Sequence, residues 1–339
     1  MTAASLLRAS SAESIHGMRP IDPRHDMLPV ARLIETSFAG ELDQPGREMI
    51  REMKAFGRAG WLGWLVGRLF LPPAAYPAGY VWQHEERLIG NASLLPAYQG
   101  ASRWVIANVA VDPGFRRQGI AGQLVSACLD QALGRGADQV VLQVRHDNHG
   151  AITLYRQLGF VELTTRTTWQ RRASALTPTE ASAVRERRPA EWSDQWRLAR
   201  ELHPEGLIWP YPLRSAWFRP SRGPSWLRPL GPSHWVLPGA KDELSATVTA
   251  RYRQETLAWR LVLLVPAHLR GQAERPLLAR ALSEVQSLGA RIELSYPPGA
   301  ADDELAGLGF RAERTLTWMG ITLDARNRPG SAGSGGRSQ

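Results

Sequence analysis

A turn and the strand behind it occur twice in this chain. "RQLGFVELTTRTTW", Arg156 to Trp169, returns as "AGLGFRAERTLTWM", Ala306 to Met319, with the same Leu-Gly-Phe turn and the same threonine-rich strand. Such a repeat constrains everything before it, because duplicated endings imply duplicated units. The first copy reads from Ile15 as a short strand, "HGMRPI", and then a helix, "LPVARLIETSF", with Val30, Leu33, Ile34 and Phe38 on one face. "GYVWQHEERLIGNASLLPAY" gives two strands around a polar turn at His84 to Arg87, and the long apolar "RWVIANVAV" gives a central strand. A helix after Pro113 stops at "GRGAD", "QVVLQV" is a buried strand, and "NHGAITLYRQLGF" is a helix capped by Asn148. The second copy repeats this order with "HWVL", "LSATVTARY", "WRLVLLV", "PLLARALSEVQSLG", "RIELSY", "DDELAGLGF" and "RAERTLTWMGITL".

The fold class predicted is α/β: two tandem units, each a mixed, mostly antiparallel sheet with helices on both faces. Their boundaries are expected at 15–172 and 186–324, with an Ala/Ser/Thr/Pro linker over 173–185 and a disordered tail over 325–339 that lacks apolar residues. The eight tryptophans from Trp192 to Trp318 pack the second unit or line an acceptor pocket there.

Composition narrows the function classes. A single cysteine excludes an internal disulfide and a cysteine-rich zinc site, and Cys128 lies at helical spacing from Leu124 and Val125, as a core residue does. "WLGWLVGRLFL" is too short for a bilayer and is broken by Arg68, and no leader pattern opens the chain, so a cytoplasmic protein without a membrane partner is expected. The net charge of +9 comes from scattered arginines, with lysine only at Lys54 and Lys241; without a dense basic block, nucleic acid is a minor alternative. His146 and His149 flank Asp147, a pattern that fits a polar loop, and no metal site is expected.

"VAVDPGFRRQGIAGQL" then carries the chemistry. A strand that ends in an arginine- and glycine-containing turn and feeds straight into a helix offers outward N–H groups and the positive end of a helix dipole. Pyrophosphate is the natural guest; an ordinary helix start is the structural alternative. There is no Gly-Lys-Ser/Thr for a P-loop and no Gly-x-Gly-x-x-Gly for a dinucleotide turn.

With "NHGAITLYRQLGF" downstream, this stretch resembles the GCN5-related N-acetyltransferase (GNAT) superfamily, whose signature Gln/Arg-x-x-Gly-x-Gly/Ala is filled by Arg116, Gly119 and Ala121. The resemblance implies acetyl-CoA as co-substrate. Its pyrophosphate would lie on the turn formed by Arg116, Arg117, Gln118, Gly119, Ile120, Ala121 and Gly122. Its pantetheine arm would lie along the backbone at Val109 and Val111, and Asn148 would contact it further along. The same resemblance makes Tyr155, near the cofactor sulfur, the general acid, while helical spacing with Ala151, Leu154 and Leu158 makes it a core residue. The strand lacks the glutamate that many family members carry, and Glu35, Glu85 and Glu86 read as surface charges. The implied function is acetyl transfer to a primary amine of a small molecule or peptide, with a non-catalytic acyl-CoA-binding or regulatory protein as the alternative; oligomeric state is open. In the second copy, "VPAHLRGQAERPLLARAL" keeps Arg270 but has Ala273 for the glycine, then Arg275 and Pro276, so that turn is expected to be closed, with Arg275 as the obstruction.

Overall fold

The computed structural model describes residues 16–40, 44–70, 78–97, 102–172, 183–203, 206–208, 211–220, 232–253, 257–285 and 290–323. The first half contains β1 (Gly17–Pro20), α1 (Met27–Ser37), α2 (Gln44–Phe70), β2 (Ala78–His84), β3 (Arg87–Pro96), β4 (Arg103–Val111), α3 (Ile120–Gly134), β5 (Gln139–Arg145), α4 (His149–Gln157) and β6 (Val161–Arg172). The second contains β7 (Arg185–Glu186), α5 (Trp192–Leu202), β8 (Leu207–Ile208), β9 (Tyr211–Pro212), β10 (Ser233–Pro238), β11 (Leu244–Arg253), β12 (Ala258–Leu264), α6 (Glu274–Val285), β13 (Arg291–Tyr296), α7 (Asp302–Gly307) and β14 (Arg311–Thr322). Most of the expected linker and all of the expected tail lie outside the described residues. Among the described residues no helix is long and apolar enough to cross a membrane.

Strands β1 to β4 are antiparallel neighbours, whereas β4 and β5 are parallel and therefore need the α3 crossover between them. Helix α3 buries Ile120, Leu124, Val125, Cys128 and Ala132, one stripe at helical spacing. Close approach of that stripe explains Gly90 on β3, where a Cβ would come within 3.0 Å of the Ile120 and Leu124 side chains. On the other face α1 packs Val30, Ala31 and Ile34 against Val81 and Ala110. The chain enters α1 through Asp26, which accepts two hydrogen bonds from the Arg19 guanidinium at 2.6 and 2.7 Å. Helix α2 is an element the sequence pattern left unassigned.

The second half builds the same layers. Helix α6 lays Leu277, Leu278, Ala281 and Leu282 into a core with Val248, Ala250, Leu261 and Leu263. Helix α5 covers the opposite face, where Ala199 meets Phe218, Val262 and Leu264. There the buried Gln195 amide donates to the hydroxyls of Thr247 and Thr249 at 3.0 and 2.9 Å, so this polar layer is satisfied.

The compact units do not follow the division expected at residue 172. One comprises residues 1–142, 154–160 and 320–339, and the other comprises 143–153 and 161–319. In the second, β6 pairs antiparallel with β13, from Thr167 opposite Tyr296 to Arg172 opposite Arg291. In the first, the end of β14 takes the place that β6 was expected to fill, and the Leu323 N–H donates to the Asp138 carbonyl at 2.8 Å. The repeated strands have thus changed places. Sequence order could not show this, because β6 and β14 share two threonine positions, Thr165 with Thr315 and Thr167 with Thr317, and offer the same backbone groups to either neighbour. Within the second unit the repeat meets itself reciprocally: Thr165 pairs with Thr317 at 3.1 Å and Thr167 with Thr315 at 2.8 Å, each the counterpart of the other's partner.

Candidate active site

The turn between β4 and α3 is built in two steps. Asp112 caps a single 3-10 turn over Pro113–Phe115, its Oδ1 accepting the Gly114 N–H at 3.0 Å. The backbone then passes through two left-handed residues, Arg117 at φ 66° and Gly119 at φ 78°. Glycine adopts that conformation freely, whereas Arg117 does so at a cost. Gly119 caps α3 without any side chain to satisfy the first-turn N–H groups, and among the described residues the N–H groups of Gln118 and Gly119 make no backbone hydrogen bond. A Cβ on Gly119 would meet only Gln123 Nε2, at 3.8 Å, so space lies open over the turn. Residues 116–119 are exposed, whereas Ile120 is buried and fastens the helix to the sheet. Open N–H groups, the dipole of a 15-residue helix and an uncovered surface fit an anion of pyrophosphate size.

Arg116 has a different position from Arg117. Its Nε donates to the Val111 carbonyl at 3.2 Å and its Nη2 to the Ser37 carbonyl at 3.3 Å, so its guanidinium ties the turn to the end of β4 and the end of α1. Ala121 and Gly122 lie half-buried in the first helical turn, and a Cβ on Gly122 would reach Leu154 of α4 at 3.5 Å.

Strand β4 parts from β5 beside this turn. Their parallel register runs from Arg103 opposite Gln139 to Ile106 opposite Leu142 and then stops. Beyond it β4 carries a bulge, with an extra residue between Ala107 and Ala110 and Asn108 at φ 54°. The buried Asn91 of β3 holds the bulge, its Nδ2 donating to the Asn108 carbonyl at 2.8 Å and to Ser93 Oγ at 3.2 Å. The Asp112 N–H donates to the Ile89 carbonyl on β3 at 2.8 Å, and alternation along the strand then turns the N–H groups of Val109 and Val111 away from β3. They face the side from which β5 has departed. The Val111 carbonyl on that side is already taken by Arg116.

Tyr155, on α4, is buried, with its ring 5.9 Å from that of Phe160. Among the described residues its hydroxyl has no hydrogen-bond partner, and burial pushes its pKa up to about 12. Asn148 caps α4, its Oδ1 accepting the Ala151 N–H at 3.1 Å, and it belongs to the second compact unit. Of the carboxylates weighed as bases, Glu35 is bound by Lys54 at 2.6 Å, Glu85 and Glu86 form an exposed turn, and β4 carries none. Cys128 is fully buried beside the Ala92 carbonyl, and burial holds its thiol at about 12, which suits core packing. His146 Nδ1 lies 2.9 Å from Thr317 Oγ1, a role in the sheet.

The corresponding turn of the second unit uses its own N–H groups. The N–H groups of Gln272 and Ala273, counterparts of Gln118 and Gly119, both donate to the Leu269 carbonyl, at 3.2 and 3.0 Å. Ala273 is buried, and the carboxylate of the buried Glu274 sits at the helix start, accepting the Tyr296 hydroxyl at 2.7 Å. Two N–H groups of this turn are thus used internally, and an acidic side chain stands where Ile120 stands in the first unit.

Residues 45–160 match the family model described as the acetyltransferase (GNAT) family. About a third of the chain is thus similar to this family. The chain is 44% identical over 59 residues to the [ribosomal protein bS18]-alanine N-acetyltransferase of Escherichia coli K12, a stretch covering 17% of this chain and 40% of that protein. It is 43% identical over 58 residues to N-alpha-acetyltransferase 30 of Schizosaccharomyces pombe, covering 17% and 39%. The chain thus spans about two fifths of the curated relatives it matches. The crystal structure of a GCN5-related N-acetyltransferase from Sphaerobacter thermophilus superposes with a TM-score of 0.57 at 16% identity, over 90% of this chain and 95% of that one, which shows the fold in both halves. The sequence pattern singled out the turn, and the family resemblance singled out Tyr155 and Asn148, as candidates. The pattern missed Asn91 and the bulge, for which an asparagine inside an apolar strand was the only signal.

Proposed function

We propose that the protein is an acetyl-CoA-dependent N-acetyltransferase whose first unit carries the site and which passes the acetyl group directly to a primary amine. The observation that supports this most is the open, doubly left-handed turn at Arg117–Gly119 next to the parted strand β4. The turn would hold the pyrophosphate through the N–H groups from Gln118 to Gly122, with the helix dipole behind them. The Val111 N–H would hold the pantetheine arm. The thioester oxygen would accept the Val109 N–H, a donor fixed before the tetrahedral oxyanion forms. As the C–N bond forms and the C–S bond breaks, the amine proton leaves to solvent and the thiolate takes the Tyr155 proton; the phenolate then regains a proton from solvent.

The acceptor is proposed as a primary amine, with peptide N-termini first because the similar proteins carry alanine and N-alpha acetylation in their names. A non-catalytic acyl-CoA-binding protein is the second reading, favoured by the absence of a carboxylate from β4 and by the capture of Glu35 by Lys54. Thiol release from acetyl-CoA, measured across a panel of peptide N-termini, lysine peptides and small amines, separates the two. Turnover with at least one amine is expected. Binding of acetyl-CoA with no release on any amine would leave only the second reading.

A further inference from the structure

We propose that Asn91 is a positioning residue for acyl recognition: its carboxamide fixes the Asn108 carbonyl and thereby presents the Val109 N–H to the thioester oxygen. This rests on the reading of the first unit as an acetyl-CoA site. The Asn108 carbonyl and the Val109 N–H belong to one peptide, which is planar and trans, so they point in opposite directions. Asn91 Nδ2 holds the carbonyl at 2.8 Å from the β3 side, and the N–H must therefore face the gap left by β5.

Two features say that this bond is more than core packing. Asn91 is fully buried, and its Oδ1 has no partner, so the fold carries a desolvated acceptor in order to place the donor. Asn108 is a non-glycine residue at φ 54°, a conformation that persists only where its surroundings enforce it. The second unit supplies an internal control. Its β11–β12 register runs unbroken from Thr247 opposite Leu264 to Arg253 opposite Ala258, and no residue of β12 has a positive φ. At the position of Asn91 stands Thr247, whose hydroxyl is bound by Gln195. The bulge and the asparagine occur together in the unit with the open turn and are both missing from the unit whose turn is closed.

The test compares the affinities of acetyl-CoA and free CoA for the full chain, because only acetyl-CoA has the thioester oxygen. The parent is expected to prefer acetyl-CoA by about 3- to 10-fold, the worth of one net hydrogen bond. Asn91→Leu, similar in volume and without polar atoms, should lose that preference and keep its CoA affinity within about twofold, since pyrophosphate and adenosine contacts are untouched. Asn91→Thr, the residue of the second unit, should behave alike and serves if Asn91→Leu does not fold. A merely structural Asn91 would weaken both ligands equally or neither, so an unchanged ratio in a folded variant overturns the proposal. A parent that binds neither ligand overturns the acetyl-CoA reading beneath it and the proposal with it.

Discussion

Residues at the candidate site divide into those that hold the backbone and those proposed to meet the ligand. Arg116 sits in the family signature, yet its guanidinium is spent on the Val111 and Ser37 carbonyls, so its effect is on the shape of the turn. Gly119 contributes an absent side chain and a left-handed φ. Tyr155 is proposed to join both roles, its ring packed against Phe160 and its hydroxyl without a partner among the described residues. Tyr155→Phe should therefore fold as well as the parent and bind acetyl-CoA normally. Its turnover at saturating acetyl-CoA should fall by about 100- to 10,000-fold, the usual contribution of a general acid. Burial raises this phenol from its ordinary value to about 12, so its proton is present throughout the neutral and moderately alkaline range. The parent should accordingly show no alkaline loss of rate from this group until pH approaches 12. Turnover of Tyr155→Phe within about twofold of the parent would assign the tyrosine to packing alone.

Among the elements, the two copies differ where side chains alter the backbone's hydrogen bonding. Gly119 leaves the start of α3 open; Ala273 and Glu274 close the start of α6. The sequence signalled both turns because glycine, arginine and small residues mark them at fixed spacing. The bulge in β4 left no such mark: it arises from how Asn91 and Asn108 meet across two strands, a pairing that "VIANVAV" read alone does not disclose. Helix α5 offers a separate test. His203 at its C-terminus would favour the charged form through the helix dipole, but the ring is buried and donates to the Ala199 carbonyl at 3.1 Å. Burial, aided by the charge of Arg166, wins and lowers its pKa to about 4. Protonation is thus disfavoured in the folded state, so the stability this residue contributes is present above about 6.5 and is lost as pH falls toward 4. The loss at pH 5 should be on the order of 2 kcal/mol. Thermal melting of the parent should drop more steeply between about pH 7 and pH 5 than that of His203→Asn; parallel slopes would show that the histidine is not what titrates.

At the scale of the whole molecule, the repeat of "LGF" and its strand predicted two units correctly in kind, and 16% identity to a GNAT structure over 90% of the chain bears out the fold. What the repeat could not convey is that β6 completes the second unit and the end of β14 the first, since either strand offers the same backbone groups to a neighbouring edge. One copy with an open turn and one with a closed turn are proposed to make a chain with a single cofactor site. Calorimetric titration of the full chain with acetyl-CoA tests this most directly. Gly119→Glu, which puts a charged side chain into a left-handed position over the open N–H groups, is the companion variant. The parent should bind one acetyl-CoA per chain and folded Gly119→Glu essentially none; two equivalent sites, or unchanged affinity in the variant, would contradict the assignment of the cofactor to the first unit alone.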